Sequence, residues 1–198
     1  MFEALLNARR TKADGGIFSL NGNDYINHGT SGVTLSNKGG VTIGTGGYVF
    51  NKTQTAKLIT NSVDQFDFQG DFRIEFEITH KVGSGVYFEQ IFGTGDGING
   101  NGWSMYIFNN RLSFGTSQTD LVSSTILIDT QPMSVVVERT STRFMLKVRE
   151  TETISTSAAI LTKKHKQQYP MVIGDRQDGS AYNQYPFNGT MRRLEIFV

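Results

Sequence analysis

The chain has 198 residues, with 22 Gly, 3 Pro and no Cys, and 19 Lys and Arg against 18 Asp and Glu. That length buries a full core without staples, the absent Cys excludes a disulfide framework, Cys-ligated zinc, iron–sulfur clusters and a thiol nucleophile, and near-neutral charge gives no global pull toward nucleic acid or anionic lipid. Thr outnumbers Ala by 21 to 7, which together with the many Gly opposes a helical bundle and suits pleated strands.

Residues 1–13 read as an arm or short helix, in which Phe2, Leu5 and Leu6 precede Arg9 and Arg10. Glu3 stands where a signal peptide carries a base, and the apolar run is too short for an h-region. Synthesis in a cytoplasm is therefore expected, with the arm as an attachment device. The sequons at Asn51 and Asn188 carry little weight without a secretory route.

From residue 14 to 198 one sandwich domain is expected. Short apolar runs alternate with Gly, Asn, Asp and Ser clusters at strand-and-turn spacing. They are Phe18–Leu20, Tyr25–Ile26, Val33–Leu35, Val41–Ile43, Tyr48–Phe50 and Lys57–Thr60. Phe72–Thr79 alternates apolar and polar residues without a break, so one face is buried and the other wet. Val86–Phe92 follows, then a Gly-rich loop and Trp103–Phe108, with Trp103 expected in the core. Asn109-Asn110 joins that strand to Arg111–Phe114 through a primed turn, because Asn tolerates left-handed dihedrals. Thr125–Ile128, Met133–Arg139 and Arg143–Arg149 are further strands, the last two joined by a tight turn at Ser141-Thr142. Residues 151–161 read as a polar strand or loop. Met171–Ile173 and Met191–Val198 complete the series. Many short antiparallel strands without a sustained helical period give an all-β, two-sheet antiparallel sandwich.

Several segments, in order, resemble the laminin-G-like branch of the concanavalin A-like lectin/glucanase superfamily. They are Phe18–Ile26 with its Asp24-Tyr25-Ile26, and Gly70–Phe76 with its Phe-x-Ile-x-Phe pattern. Ile91-Phe92-Gly93 and the hairpin Gly102–Phe114 follow, then Met133–Lys147, Met171–Gly174 and Phe187–Phe197. The resemblance implies a jelly roll over most of residues 17–198. It implies no single function, since this sandwich hosts lectins, receptor modules and glycosidases. Gln131-Pro132 stands where the family often has Trp-His. The opening Leu5-Leu6-Asn7-Ala8-Arg9-Arg10 resembles small bacteriophage virion proteins. On that resemblance the chain is a non-enzymatic capsid-decoration or tail- or fibre-associated protein, with other virion proteins, a surface glycan and further copies of itself as partners.

Candidate chemistry is sparse. Glu75 and Glu77 share a strand face about 6–7 Å apart, against the roughly 5–5.5 Å between carboxyl groups that a retaining glycosidase uses. However, Arg73 and Thr79 occupy the flanking positions where the family's hydrolases carry a third acid, so both read as solvated acids. His28, His80 and His165 lie in unrelated contexts and form no metal-ligand spacing. Gly95–Gly100 spells Gly-x-Gly-x-x-Gly without a following helix. Lys163-Lys164-His165-Lys166 lacks interleaved aromatics and reads as a solvated basic turn. Asp96, Asn99 and Asn101, or Asp175 and Asp178, offer oxygens of the kind calcium takes, without a defined calcium pattern. No cofactor is expected, calcium being the one metal left open.

The long connector 175–185 combines polar planar groups with aromatic rings, the combination that sugar recognition uses. Asp175, Arg176, Asp178 and Asn183 are the expected hydrogen-bonding side chains, and Tyr182 and Tyr185 the stacking ones. Long loops on sandwiches often carry function. A free carbohydrate-binding lectin is the alternative to a virion protein, and a glycoside hydrolase the more distant one.

Overall fold

The computed structural model describes residues 16–52, 56–61, 64–81, 88–95, 102–115, 119–126, 130–175 and 185–198. The anchoring residues Phe2, Leu5, Leu6, Arg9 and Arg10 lie outside them. In chain order the strands are β1 (Phe18–Leu20), β2 (Leu35–Lys38), β3 (Thr42–Gly44), β4 (Gly47–Phe50), β5 (Lys57–Thr60), β6 (Phe72–His80), β7 (Phe88–Gly93) and β8 (Ser104–Phe108). They continue with β9 (Arg111–Gly115), β10 (Thr119–Ile126), β11 (Pro132–Arg139), β12 (Phe144–Val148), β13 (Thr151–Ser155), β14 (Val172–Ile173) and β15 (Gly189–Phe197). One short helix, α1 (Ala158–Leu161), follows β13.

Two antiparallel sheets result. The first runs β13-β12-β11-β6-β15-β4-β3. The free edge of β15 is shared, with β4 pairing Gly189–Met191 and β1 pairing Leu194–Ile196. The second sheet runs β10-β9-β8-β7-β14-β5-β2. β6 shows why the sequence folds this way. Phe72, Ile74, Phe76, Ile78 and His80 are buried, while the residues between them are half-buried. Period-two alternation puts all five on one face. Opposite them, Phe92, Trp103, Met105, Leu112 and Phe114 come from the second sheet. Phe76 meets Phe92 edge-on at 5.0 Å, and Trp103 stacks on Phe68 at 4.8 Å. The buried Trp103 indole N–H donates to the Phe66 carbonyl at 2.9 Å, which satisfies its one polar atom.

The Asn109-Asn110 hairpin has φ of 50° and 58°, the left-handed pair a type I′ turn requires. At Ser141-Thr142 the Thr140 N–H donates to the Arg143 carbonyl at 2.8 Å, closing that turn. Four strand expectations shift. The strand expected at Val33–Leu35 begins only at Leu35, as β2. Tyr25–Ile26 is not a strand, because Asn21, Asp24 and Asn27 side chains accept from the N–H groups of Asn23, Ile26 and Gly29. Such local bonds compete with a ladder. The strand expected at Thr125–Ile128 instead occupies Thr119–Ile126, where it pairs with β9 through two register shifts. Residues 151–161 divide into an edge strand and α1.

The basic run at 163–166 is a larger correction: Lys164 and Lys166 are exposed, as a solvated turn has them, but His165 and Lys163 are drawn inward onto Asp120. His165 is fully buried against Phe72, Phe114 and Phe144. Its Nε2 lies 2.7 Å from Asp120 Oδ2, and its Nδ1 lies 3.0 Å from Arg139. A guanidinium only donates, so Nδ1 accepts and Nε2 carries the proton toward Asp120. Lys163 Nζ holds the other Asp120 oxygen at 2.5 Å. Arg139 also donates to the Phe68, Gly70 and Lys163 carbonyls. Burial lowers the His165 pKa, and the bond to Asp120 only partly offsets it. Burial raises that of Asp120, but its bonds to His165 and Lys163 outweigh this and hold it below the usual carboxylate value.

Candidate functional site

At one end of the sandwich six strand termini converge: the ends of β4, β6 and β14 and the starts of β5, β7 and β15. His80 pairs with Gly189, and Gln90 bridges to Pro186. Charged side chains are drawn inward here. Glu89 is 3 % exposed; one oxygen lies 3.3 Å from His80 Nε2 and the other 3.9 Å from Lys52 Nζ. The Asn188 backbone N–H also donates to Glu89 at 2.9 Å. The His80 ring lies parallel to Phe187 at 6.2 Å. A carboxylate so far from water is held by these three contacts.

The opposite face of the second sheet differs. In an antiparallel sheet, directly paired residues share a face. Gln90 pairs with Tyr106 and Tyr106 with Ser113, while Ser104 lies between Gly93 and Gly115. These residues therefore point away from the first sheet, whereas Phe92, Met105 and Phe114 point toward it. Phe88 stacks on Tyr106 with ring centres 4.7 Å apart, and Tyr185 meets Phe88 edge-on at 4.8 Å. Phe88 and Tyr185 are half-buried. Three aromatic rings, an amide and two hydroxyls thus share one side of the sheet, where Phe88 and Tyr185 are partly exposed and Tyr106, Gln90, Ser104 and Ser113 are buried.

Of the residues expected to bind a ligand, the structure describes Asp175 and Tyr185. Arg176, Asp178, Tyr182 and Asn183 lie outside the described residues, as do Asp96, Asn99 and Asn101. Tyr185 joins the aromatic group. Asp175 is fully buried, 3.6 Å from Lys57 Nζ, so it holds the start of the connector rather than presenting an exposed acid. The backbone beside it is tightly set. Gly174 has φ +95°, and a Cβ there would strike the Phe50 ring. Phe88, Gln90, Ser104 and Tyr106 were not anticipated as site residues. Their signal was polar or aromatic residues on the outer face of otherwise apolar strands.

Glu75 and Glu77 are not freely solvated. Arg73 donates to Glu75 at 2.6 Å and to Glu138 at 2.6 Å. Arg192 donates to Glu77 at 3.2 Å, and Arg193 lies 4.0 Å from Glu75. Among the described residues no three acids or histidines group as a metal site would require. No helix among them is long and apolar enough to cross a membrane.

No family model matches the chain, and no curated protein matches it. Solved structures do. The receptor-binding domain of botulinum neurotoxin mosaic serotype C/D aligns with a TM-score of 0.66 at 15% identity. The serotype D ligand-binding domain in complex with N-acetylneuraminic acid gives 0.65 at 15%. The binding domain of botulinum neurotoxin DC in complex with rat synaptotagmin II gives 0.61 at 15%. The alignments cover 93% of this chain and 47–48% of those chains. The fold is a concanavalin A-like jelly roll. At this identity the likeness concerns the fold alone, a lectin-like sandwich similar to that of toxin receptor-binding domains. This chain spans about half the length of the chains it matches.

Proposed function

We propose that this sandwich is a non-catalytic glycan-recognition domain whose site is the aromatic group of Phe88, Tyr106 and Tyr185. The observation that carries this reading is the Phe88–Tyr106–Tyr185 group next to amide and hydroxyl side chains on one sheet face. Aromatic faces cover the C–H surface of a sugar ring, and a few placed polar groups fix its orientation. One neighbouring fold, solved in complex with N-acetylneuraminic acid, supports the same reading. The engagement of Glu75 and Glu77 by arginines supports a binding role over hydrolysis. Binding on a glycan array should be lost in Phe88→Ala and Tyr185→Ala, with the far-ultraviolet spectrum of the sandwich unchanged. A flat array for the unmodified chain overturns the reading.

The finer placement of this domain on a bacteriophage particle, after synthesis in a host cytoplasm, rests on the sequence of residues 1–13. In that reading Phe2, Leu5, Leu6, Arg9 and Arg10 anchor it to other virion proteins. Deleting residues 1–13 should abolish incorporation into particles while the sandwich still folds. Unchanged incorporation overturns the anchoring role.

A further inference from the structure

The aromatic group does not end at Phe88. Phe88, which opens β7, pairs directly with Phe108, which closes β8, and directly paired residues of an antiparallel sheet share a face. Phe108 therefore stands on the same side of the second sheet as Phe88 and Tyr106. Unlike them it lies open to solvent: at 47 % exposure it is the only exposed aromatic side chain among the described residues. On the other edge of β7 the Gln90 N–H donates to the Tyr185 carbonyl at 2.9 Å, which sets Tyr185 alongside that strand, its ring 4.8 Å from Phe88. Tyr185, Phe88 and Phe108 thus occupy three adjacent chain segments in one row. Such segments lie about 4.8 Å apart, so the row spans about 10 Å.

The open apolar surface continues in the same direction. Val122 on β10 pairs with Ser113, which pairs with Tyr106, so it shares this face, and it is 45 % exposed. The outer face of the first sheet instead carries the Arg73, Glu75 and Glu138 ion pairs. Single exposed apolar residues are ordinary, but Phe108 prolongs an existing row of rings. It is also held in place, being the residue before Asn109-Asn110, whose two left-handed residues set the turn. A ring on so tight a turn gives up little freedom when a ligand covers it. One ring accommodates about one sugar, and the residues of an extended sugar chain repeat at about the interval between strands. A row of three rings therefore fits a short chain better than a single terminal sugar.

We infer that Phe108 is an outer platform of the binding site, and that the ligand is an oligosaccharide of two or more residues laid across β7 and β8 toward the hairpin. This rests on the glycan-recognition reading above. The full chain, Phe108→Ala and Phe108→Tyr would be titrated against glucose, galactose, N-acetylglucosamine and N-acetylneuraminic acid, each as the free sugar and as the terminus of a trisaccharide. Covering the open half of a Phe side chain is worth about a ten-fold gain in affinity, so the preferred trisaccharide should bind about that much more tightly than its free terminal sugar. Phe108→Ala should lose that gain, leave the weaker binding of the free sugar as it was, and keep the melting temperature, since the ring packs mainly against solvent. Phe108→Tyr should retain the gain. Equal affinity for the free sugar and the trisaccharide, or trisaccharide binding unchanged in Phe108→Ala, overturns this inference but leaves the glycan reading standing. Binding of none of these probes also overturns it, and if the glycan array is flat as well, the glycan reading falls with it.

Discussion

His165 shows how a single side chain can hide its role in a sequence. It sits in a run of lysines, but its partners Asp120 and Arg139 arrive from other strands. No local pattern records such a meeting. His80 is similar: alternation along β6 puts it on the buried face, but its pairing with Glu89 appears only once β6 and β7 face each other. Removing one member of a buried ionic group leaves the others uncompensated, typically at about 3–5 kcal/mol. Asp120→Ala should therefore lower unfolding stability by about that amount in urea titrations. The pH dependence has a definite sign. Unfolded His165 takes up a proton near pH 6.5, whereas burial delays uptake in the folded state, so the unfolded state binds more protons. Stability then falls as pH drops below about 6.5. Asp120 adds a second loss at lower pH, as the medium passes below its depressed folded pKa. In His165→Gln the first slope should flatten while the second remains.

At the level of elements, strands buried on one face were the most legible. β6, β11 and β15 could be read from alternation or apolar runs, and the Asn109-Asn110 turn from its residue type. Both Asn have positive φ, so Asn110→Val should cost about 1–2 kcal/mol, the usual penalty for a left-handed residue with a Cβ. Asn110→Gly should hold or raise the melting temperature. β10 and β13 were harder to read. They are edge strands rich in Thr and Ser, and little in them distinguishes strand from loop. The apolar run of β7 was legible, but its bulge near Ile91 was not. That irregularity lets Gln90 face outward while Phe92 faces the core. The outward-facing Gln90 and Ser104 were missed for this reason, since each looks ordinary until the register aligns them. Gly174→Ala, at φ +95° and against the Phe50 ring, should destabilise by about 2 kcal/mol or more through strain and overpacking. It should also loosen the connector that begins at Asp175, which thermal melting and limited proteolysis would report.

Across the whole molecule, a charge-balanced surface covers the outside of the first sheet. Arg73, Arg143 and Arg193 interleave with Glu75, Glu138 and Glu195. Glu138 takes two arginines, and although burial raises its pKa, their bonds outweigh that and lower it. Individual exposed pairs contribute roughly 0.2–1 kcal/mol. Glu138→Gln should therefore cost more than Glu77→Gln, and molar salt should narrow that gap in chemical denaturation. The near-zero net charge in the sequence is thus spread across this surface as neighbouring opposites rather than as one basic and one acidic patch.

The shared edge of β15 has a consequence for how the chain is made. β1 is made well before β15, yet depends on that strand for its pairing, and β4, held by β3 on one edge, waits for it on the other. β6 waits for the same strand along nearly its whole length. Until residues 189–197 leave the ribosome, the first sheet is split at its middle with open edges on both sides, a state in which strands recruit other chains. A nascent chain arrested with β15 still inside the exit tunnel should be cleaved readily by protease. Releasing only that segment should confer protection across the whole sandwich at once.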